Sequence, residues 1–236
     1  MSKILITING KEYSAEAGKM VLEVAKEVGI YIPTLCHYEG IKAQGSCRIC
    51  TCLIDGRKMT ACTTPASHRM VVETNTEELE KIRATIVELL FAEGNHFCPA
   101  CERSGNCELQ ALAYRYKMMV PQFPYNFPSR DLDATNPKIM IDHNRCILCK
   151  RCIRRKKEKD NPSWFVFKGR GHKTQINIDH ELIDKEFDDK LAQEAMDTCP
   201  VGAIIRKEKG FDVPIGSRKY DKDPIGSDIK KQGVIL

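Results

Sequence analysis

Twelve cysteines fall in three groups along the 236 residues: Cys36, Cys47, Cys50, Cys52 and Cys62; then Cys98, Cys101 and Cys107; then Cys146, Cys149, Cys152 and Cys199. Thiolates are soft ligands that suit iron–sulfur clusters and zinc, so spacing must decide what each group can hold. The first group reads C-x10-C-x2-C-x11-C over Cys36, Cys47, Cys50 and Cys62. One loop and one distant thiolate can give each iron of a [2Fe–2S] cluster two sulfur ligands. Gly40 and Gly45 in that loop let backbone amides turn toward the cluster sulfurs. Zinc also takes four cysteines, but usually as two short C-x2–4-C pairs, and only one short pair occurs here. Cys52, in the alternating run Thr51-Cys52-Leu53, reads as a buried inert thiol rather than a ligand.

The third group is the sharpest. Cys146, Cys149 and Cys152 form C-x2-C-x2-C, and Cys199 is followed by Pro200-Val201-Gly202-Ala203-Ile204. This is the ligand pattern of bacterial ferredoxins, in which a tight loop and a distant Cys-Pro hold a [4Fe–4S] cube. A two-cluster ferredoxin would carry another cysteine where Lys156 stands and a second triplet where Asp197-Thr198 precede Cys199, so one cluster of the pair is missing. The middle group, Cys98, Cys101 and Cys107, has three thiolates and a vacancy. His96 can fill it as a neutral imidazole. A zinc knuckle would use the same four residues, and spacing alone leaves both readings open.

Elements of recognisable type must hold these groups. Ile4, Ile6 and Ile8 alternate with polar or outward residues, and Asn9-Gly10 predicts a hairpin continuing to Ser14. Met20 to Val28 has helical spacing and stops at Gly29. Thr51 to Ile54, turned by Asp55-Gly56, reads as a second hairpin and Met70 to Val72 as a closing strand, giving a small sheet that clasps one helix. Leu79, Ile82, Ile86, Leu89 and Leu90 predict a helix between Thr76 and Gly94, and another is expected from Cys107 to about Lys117. Val120 to Pro137 carries four prolines and reads as an extended surface linker. Trp164 to Phe167 and Gln175 to Ile178 read as strands, and Asp188 to Met196 as a helix. From Gly210 the chain reads as a tail that packs on a partner or stays mobile.

The fold class is therefore α+β, in four parts: residues 1–77, a [2Fe–2S] ferredoxin-like β-grasp domain; 78–118, a short helical His/Cys3 domain; 119–209, a bacterial-ferredoxin-like [4Fe–4S] domain with a Pro-rich lead-in; and 210–236, an assembly tail.

Composition narrows the function. Hydrophobic residues make up 42% and charged residues 29%, as in globular proteins. No apolar run approaches the roughly 20 residues of a membrane span, and no secretory signal opens the chain. The thiols are accordingly expected in a reducing cytoplasm, where cysteine clusters bind metal. A net charge of +5 is too modest to indicate nucleic acid. Lys150, Arg151, Arg154, Arg155, Lys156, Lys157 and Lys159 read first as a solvated face countering cluster charge, and second as a patch for an acidic partner. Gly169-Arg170-Gly171 lacks the third glycine of a dinucleotide fingerprint and reads as a hairpin turn. No P-loop, flavin motif or hydrolytic triad is visible, so the chain shows no site for breaking a substrate bond.

Three cluster sets in this order resemble the N-terminal iron–sulfur region shared by the large iron–sulfur subunit of respiratory complex I, [FeFe] hydrogenases and NAD-linked formate dehydrogenases. The resemblance covers about the first 205 residues. With Glu93-Gly94-Asn95-His96-Phe97-Cys98, Gly105-Asn106-Cys107-Glu108-Leu109-Gln110 and Asp212-Val213-Pro214-Ile215-Gly216-Ser217-Arg218-Lys219-Tyr220, the chain looks most like the small diaphorase subunits of bacterial NAD-reducing [NiFe] hydrogenases. That resemblance implies one [2Fe–2S] and two [4Fe–4S] clusters; in the middle one, His96 joins Cys98, Cys101 and Cys107 as the nearest nitrogen donor rather than as a motif match. It also implies electron relay between a flavin/NAD-binding diaphorase subunit and the small and large [NiFe] hydrogenase subunits. The alternatives are the NADH module of a complex I-like enzyme or formate dehydrogenase, and a zinc-stabilised binding module. In one respect the chain departs from the broader family, which places its histidine as H-x3-C: that position is Gly94, and His96 gives H-x-C instead.

Overall fold

Alternation at the N-terminus produces strand β1 (Lys3–Ile8), paired antiparallel with β2 (Lys11–Glu16) in a computed structural model that describes residues 2–157, 164–179 and 187–232. Asn9 and Gly10 turn the hairpin at φ of 51° and 77°, the left-handed pair a type I′ turn needs. Asp55-Gly56 repeats the device between β3 (Thr51–Ile54) and β4 (Arg57–Thr60). Strand β5 (Met70–Glu73) joins the two hairpins, parallel to β1 and antiparallel to β3, in the order β2-β1-β5-β3-β4. Helix α1 (Val21–Glu27) lays Val21, Leu22, Val24 and Ala25 against Ile6, Ile8, Ile54 and Val72, so the sheet clasps one helix as expected.

Helix α2 (Glu77–Glu93) starts where Thr76 Oγ1 accepts the Leu79 amide at 3.3 Å, and Gly94 ends it. Helix α3 (Glu108–Arg115) is capped by a cysteine, Cys107 Sγ accepting the Gln110 amide at 3.4 Å. The remaining elements are β6 (Leu132–Asp133), β7 (Ile139–Asp142), α4 (Arg151–Lys157), the hairpin β8 (Phe165–Lys168) and β9 (Gln175–Ile178), α5 (Asp189–Thr198), β10 (Ile204–Arg206) and α6 (Ser227–Gln232). A small sheet in the order β10-β7-β6 places β7 between the end of the Pro-rich segment and the strand that follows Cys199. Leu109 and Leu112 of α3 share one apolar core with Ile139, Ile141, Ile176, Ala192 and Ile204. The middle and third cysteine groups thus sit on a common core, while the first sheet and α1 enclose a separate one.

Three expectations need correction. The segment from Val120 to Pro137 is not only a linker: Leu132–Asp133 pairs with β7, and the Glu88 carboxylate accepts the Gln122 and Phe123 amides, anchoring its start. The basic run is not simply a solvated face. Arg151 is 2% exposed and Arg154 is buried, because each finds acceptors inside; Lys159 and the side chains of Lys156 and Lys157 lie outside the described residues. In the described part of the tail, residues 218–226 do not hang free, whereas Phe211 and Ile215 stay exposed.

That tail packs on its own chain. The Tyr220 amide donates to the Gly105 carbonyl at 2.9 Å and the Lys219 amide to Asn106 Oδ1 at 2.8 Å. Asp221 braces Arg218 through a fork of contacts as short as 2.7 Å. Ile225 is buried in the shared core, and Gly226 lies so close to Tyr31 that an added Cβ would stand 2.3 Å from its ring. The positive φ of 90° at Gly226 suits this approach. Ile225→Ala is expected to cost about 2 kcal/mol of stability through lost burial, read as a lower denaturation midpoint; an unchanged midpoint would mean the segment does not dock.

Candidate iron–sulfur sites

The first cysteine set comes together under the first sheet. Cys50 Sγ lies 3.3 Å from Cys62 Sγ, and Cys36 pairs with Cys47. Cys36, Cys50 and Cys62 are buried, and Cys47 is half-buried. Within each pair one thiol donates to the other. Hydrogen bonding from Cys47 holds Cys36 below the ordinary thiol range, and hydrogen bonding from Cys50 does the same for Cys62; their donors are pushed up correspondingly. Backbone amides assist, Ser46 toward Cys36 and Gly45 toward Cys62. Gly45 sits at φ 63°, where a side chain strains the backbone, and Thr60 Oγ1, 3.1 Å from where a Cβ would be, would crowd it.

Helix α2 fastens that loop from outside. Arg83, 2% exposed, donates through Nε to the Ile49 carbonyl at 3.2 Å and through Nη2 to the Thr51 carbonyl at 2.8 Å. Its Nη2 also lies 3.8 Å from Cys52 Sγ. Cys52 is fully buried among the core residues of the first sheet, and burial pushes its thiol up to about 11. An unreactive structural thiol fits those surroundings.

Cys98, Cys101, Cys107 and His96 line one cavity together with Phe91, Phe97, Ser104, Gln110, Arg145 and Gly202. Burial raises all three thiols, Cys107 to about 12. Burial also lowers His96 to about 4, against an opposing hydrogen bond to the Leu90 backbone, so the imidazole is neutral and able to act as a ligand. Its ring lies 5.1 Å from that of Phe91. A Cβ added at Gly94 would stand 2.3 Å from His96 Nε2. The imidazole of the H-x-C arrangement thus fills the space beside position 94, where the H-x3-C pattern would start a side chain.

Cys146, Cys149, Cys152 and Cys199 line a second cavity, walled by Ile141, Ile147, Ile176, Val201, Ala203 and Ile204 with Lys150. Leu148 and Lys150 adopt φ of 50° and 65°, which lets the C-x2-C-x2-C loop wrap its three thiols round one space. Burial pushes Cys146 and Cys149 up to about 12 and holds Cys152 well above the ordinary thiol range, opposed by backbone amides at Leu148, Arg151 and Ile153. Such thiols need positive metal to ionise, so loading these sites releases protons.

The third set adjoins both others. The turn after Cys199 packs between that set and the middle one: a Cβ at Gly202 would lie 2.6 Å from Cys101 Sγ, and the Glu108 amide donates to the Pro200 carbonyl at 2.8 Å. Arg151 forks onto Glu108, both contacts 2.7 Å, joining the residue before Cys152 to the residue after Cys107. Arg154 donates to the Cys36 and Lys42 carbonyls, and the ring of Tyr38 lies 5.6 Å from the Arg151 guanidinium and 5.1 Å from that of Arg155. The sequence marks Arg151 and Arg154 only as countering cluster charge from a solvated face, and it does not single out Arg83 or Arg145; the one signal there is that Arg145 precedes Cys146. Among the described residues, no three Cys, His, Asp or Glu side chains converge as a single metal ion requires. Cys52→Ser is expected to leave the visible spectrum of the first set unchanged, whereas loss of that spectrum would show Cys52 to be a ligand.

Residues 1–77 match the 2Fe-2S iron-sulfur cluster binding domain, residues 83–121 the NADH-ubiquinone oxidoreductase-G iron-sulfur binding region, and residues 136–205 the ferredoxin-like domain of NADH-quinone oxidoreductase subunit 3. The gamma subunit of the NAD-reducing hydrogenase HoxS of Cupriavidus necator is 44% identical, over 92% of this chain and 93% of that one. The mitochondrial NADH-ubiquinone oxidoreductase 78 kDa subunit of Candida albicans is 30% identical over 89% of this chain, which spans only 29% of that longer protein. A chain in the crystal structure of an NAD+-reducing [NiFe]-hydrogenase in its H2-reduced state superposes with a TM-score of 0.88, at 37% identity and 98% coverage of both chains. No described helix is long and apolar enough to cross a membrane. With this end-to-end likeness added to three thiol-lined sites, the chain belongs to the family of NAD-reducing hydrogenase gamma subunits, short relatives of the complex I large iron–sulfur subunit.

Proposed function

We propose that the chain is the electron-relay subunit of a cytoplasmic NAD-reducing hydrogenase, linking a flavin/NAD-binding diaphorase subunit to the small and large [NiFe] hydrogenase subunits. Full-length similarity to a hydrogenase gamma subunit is the observation that carries this reading, since the complex I relatives are several times longer. In this reading Cys36, Cys47, Cys50 and Cys62 hold a [2Fe–2S] cluster. His96, Cys98, Cys101 and Cys107 hold one [4Fe–4S] cluster, and Cys146, Cys149, Cys152 and Cys199 hold another. Residues 1–77, 78–118 and 119–209 are the corresponding cluster domains. Bound clusters supply one-electron storage and release at potentials set by their surroundings.

The chain's own residues do the rest. They hold three redox sites in adjoining, largely buried positions, which is the protein's part in electron transfer. The donor sets favour iron–sulfur clusters over zinc because the middle and third sets ring cavities instead of converging on a point. Described residues 218–226 brace the Gly105 turn and Tyr31, so the C-terminal segment contributes to this arrangement as well as to any role in assembly.

Anaerobic purification is expected to give about ten irons and as many sulfides per chain, from one two-iron and two four-iron clusters. Four irons or fewer with stoichiometric zinc would refute the relay. Reconstituted with its partner subunits, the chain should restore hydrogen-dependent NAD reduction, and Cys146→Ser should abolish it together with one four-iron signal. The His96 assignment has its own check. Replacing thiolate by neutral imidazole raises a cluster potential, as in Rieske centres. His96→Cys should therefore keep a four-iron cluster at lower potential, and His96→Ala should make it labile. Absence of hyperfine coupling from a labelled histidine nitrogen would exclude His96 as a ligand.

A further inference from the structure

Arg145 stands one residue before Cys146 and belongs by sequence to the third cysteine set, yet its side chain lines the middle cavity and not the third. Its Nη1 donates to Cys101 Sγ at 3.5 Å and to the Gly202 carbonyl at 3.4 Å. Glu102 Oε2 accepts from the same nitrogen at 2.9 Å, and Nε meets Asp142 Oδ2 at 2.8 Å. The Arg145 and Glu102 side chains are 15% and 18% exposed, so salt and water screen them weakly.

We propose that Arg145 sets the reduction potential of the group held by His96, Cys98, Cys101 and Cys107, with Glu102 as its counterweight. This rests on the iron–sulfur reading of that site. Reduction adds negative charge, and a nearby cation that also donates to a ligand sulfur favours the more negative state. Arg145 therefore raises the potential. Glu102 neutralises part of that charge and, lying beside Cys101, adds negative charge of its own, so it lowers the potential. Asp142, held at the end of β7, keeps the guanidinium aimed across the turn that separates the two four-iron sites. A residue of one cluster loop thereby governs its neighbour, and the two potentials can be adjusted separately even though the sites share a wall.

Redox titration followed by electron paramagnetic resonance on the anaerobically purified chain tests this, with signals assigned by the Cys→Ser variants. R145M should lower the middle-site potential, R145K should lower it less, and E102Q should raise it. In each variant the third-site potential should move less than the middle one. Opposite signs for R145M and E102Q distinguish tuning from loosened packing, which would degrade both alike. R145K and E102Q decide the matter if R145M fails to hold its cluster. An unmoved middle potential, shifts of the same sign in R145M and E102Q, or an equal shift at the third site would overturn the proposal and leave the cluster reading intact. A wild-type chain with no middle four-iron signal would overturn that reading, and the proposal with it.

Discussion

The bidentate contact between Arg151 and Glu108 ties the structure together. Arg151 precedes Cys152 and Glu108 follows Cys107, so one planar pair of contacts fixes the third cysteine loop against the helix that begins at the middle one. A guanidinium suits this position because its fork matches a carboxylate and its charge never titrates away. Burying it is costly on its own, and the return is mainly in geometry: breaking such a pair leaves an uncompensated charge inside. Arg83 and Arg154 repeat the pattern with backbone carbonyls as acceptors, one fastening the loop of Cys47 and Cys50 to α2, the other fastening Cys36 to α4. Buried positive charge also suits a protein whose interior gathers thiolates. Each arginine therefore positions a cysteine loop, and Arg151 in addition lies close enough to Cys149 and Cys199 to favour negative charge on them.

Much of this was legible in the sequence where the local rule was strong. Asn9-Gly10 and Asp55-Gly56 dictated their hairpins, the spacing of Leu79 through Leu90 dictated α2, and the cysteine intervals marked three sites. Strands β7 and β10 were not legible, because Ile139–Asp142 and Ile204–Arg206 are short runs whose pairing joins segments some sixty residues apart. Nor could a pattern of Lys and Arg reveal which members turn inward. Arg151 and Lys150 are neighbours of like charge, and only the tertiary position of Glu108 separates their fates. The tail misled for a related reason: its Gly, Pro and charge are those of a mobile segment, yet Tyr220 and Ile225 meet a surface that no local rule describes. At Gly94 the missing side chain was visible in the sequence, but its use as space for the His96 ring needed coordinates.

Arg154 reaches the Cys36 carbonyl across 118 residues of chain, and comparable spans join Arg115 to Ile225 and Lys219 to Asn106. Closing a loop of that length costs about 4 kcal/mol of chain entropy, more than one charged hydrogen bond returns. No single tether of this kind can form ahead of the others. The cysteine groups look in the sequence like beads that could fold one at a time. Their contacts instead reach across more than a hundred residues, so these closures support one another rather than each group standing by itself.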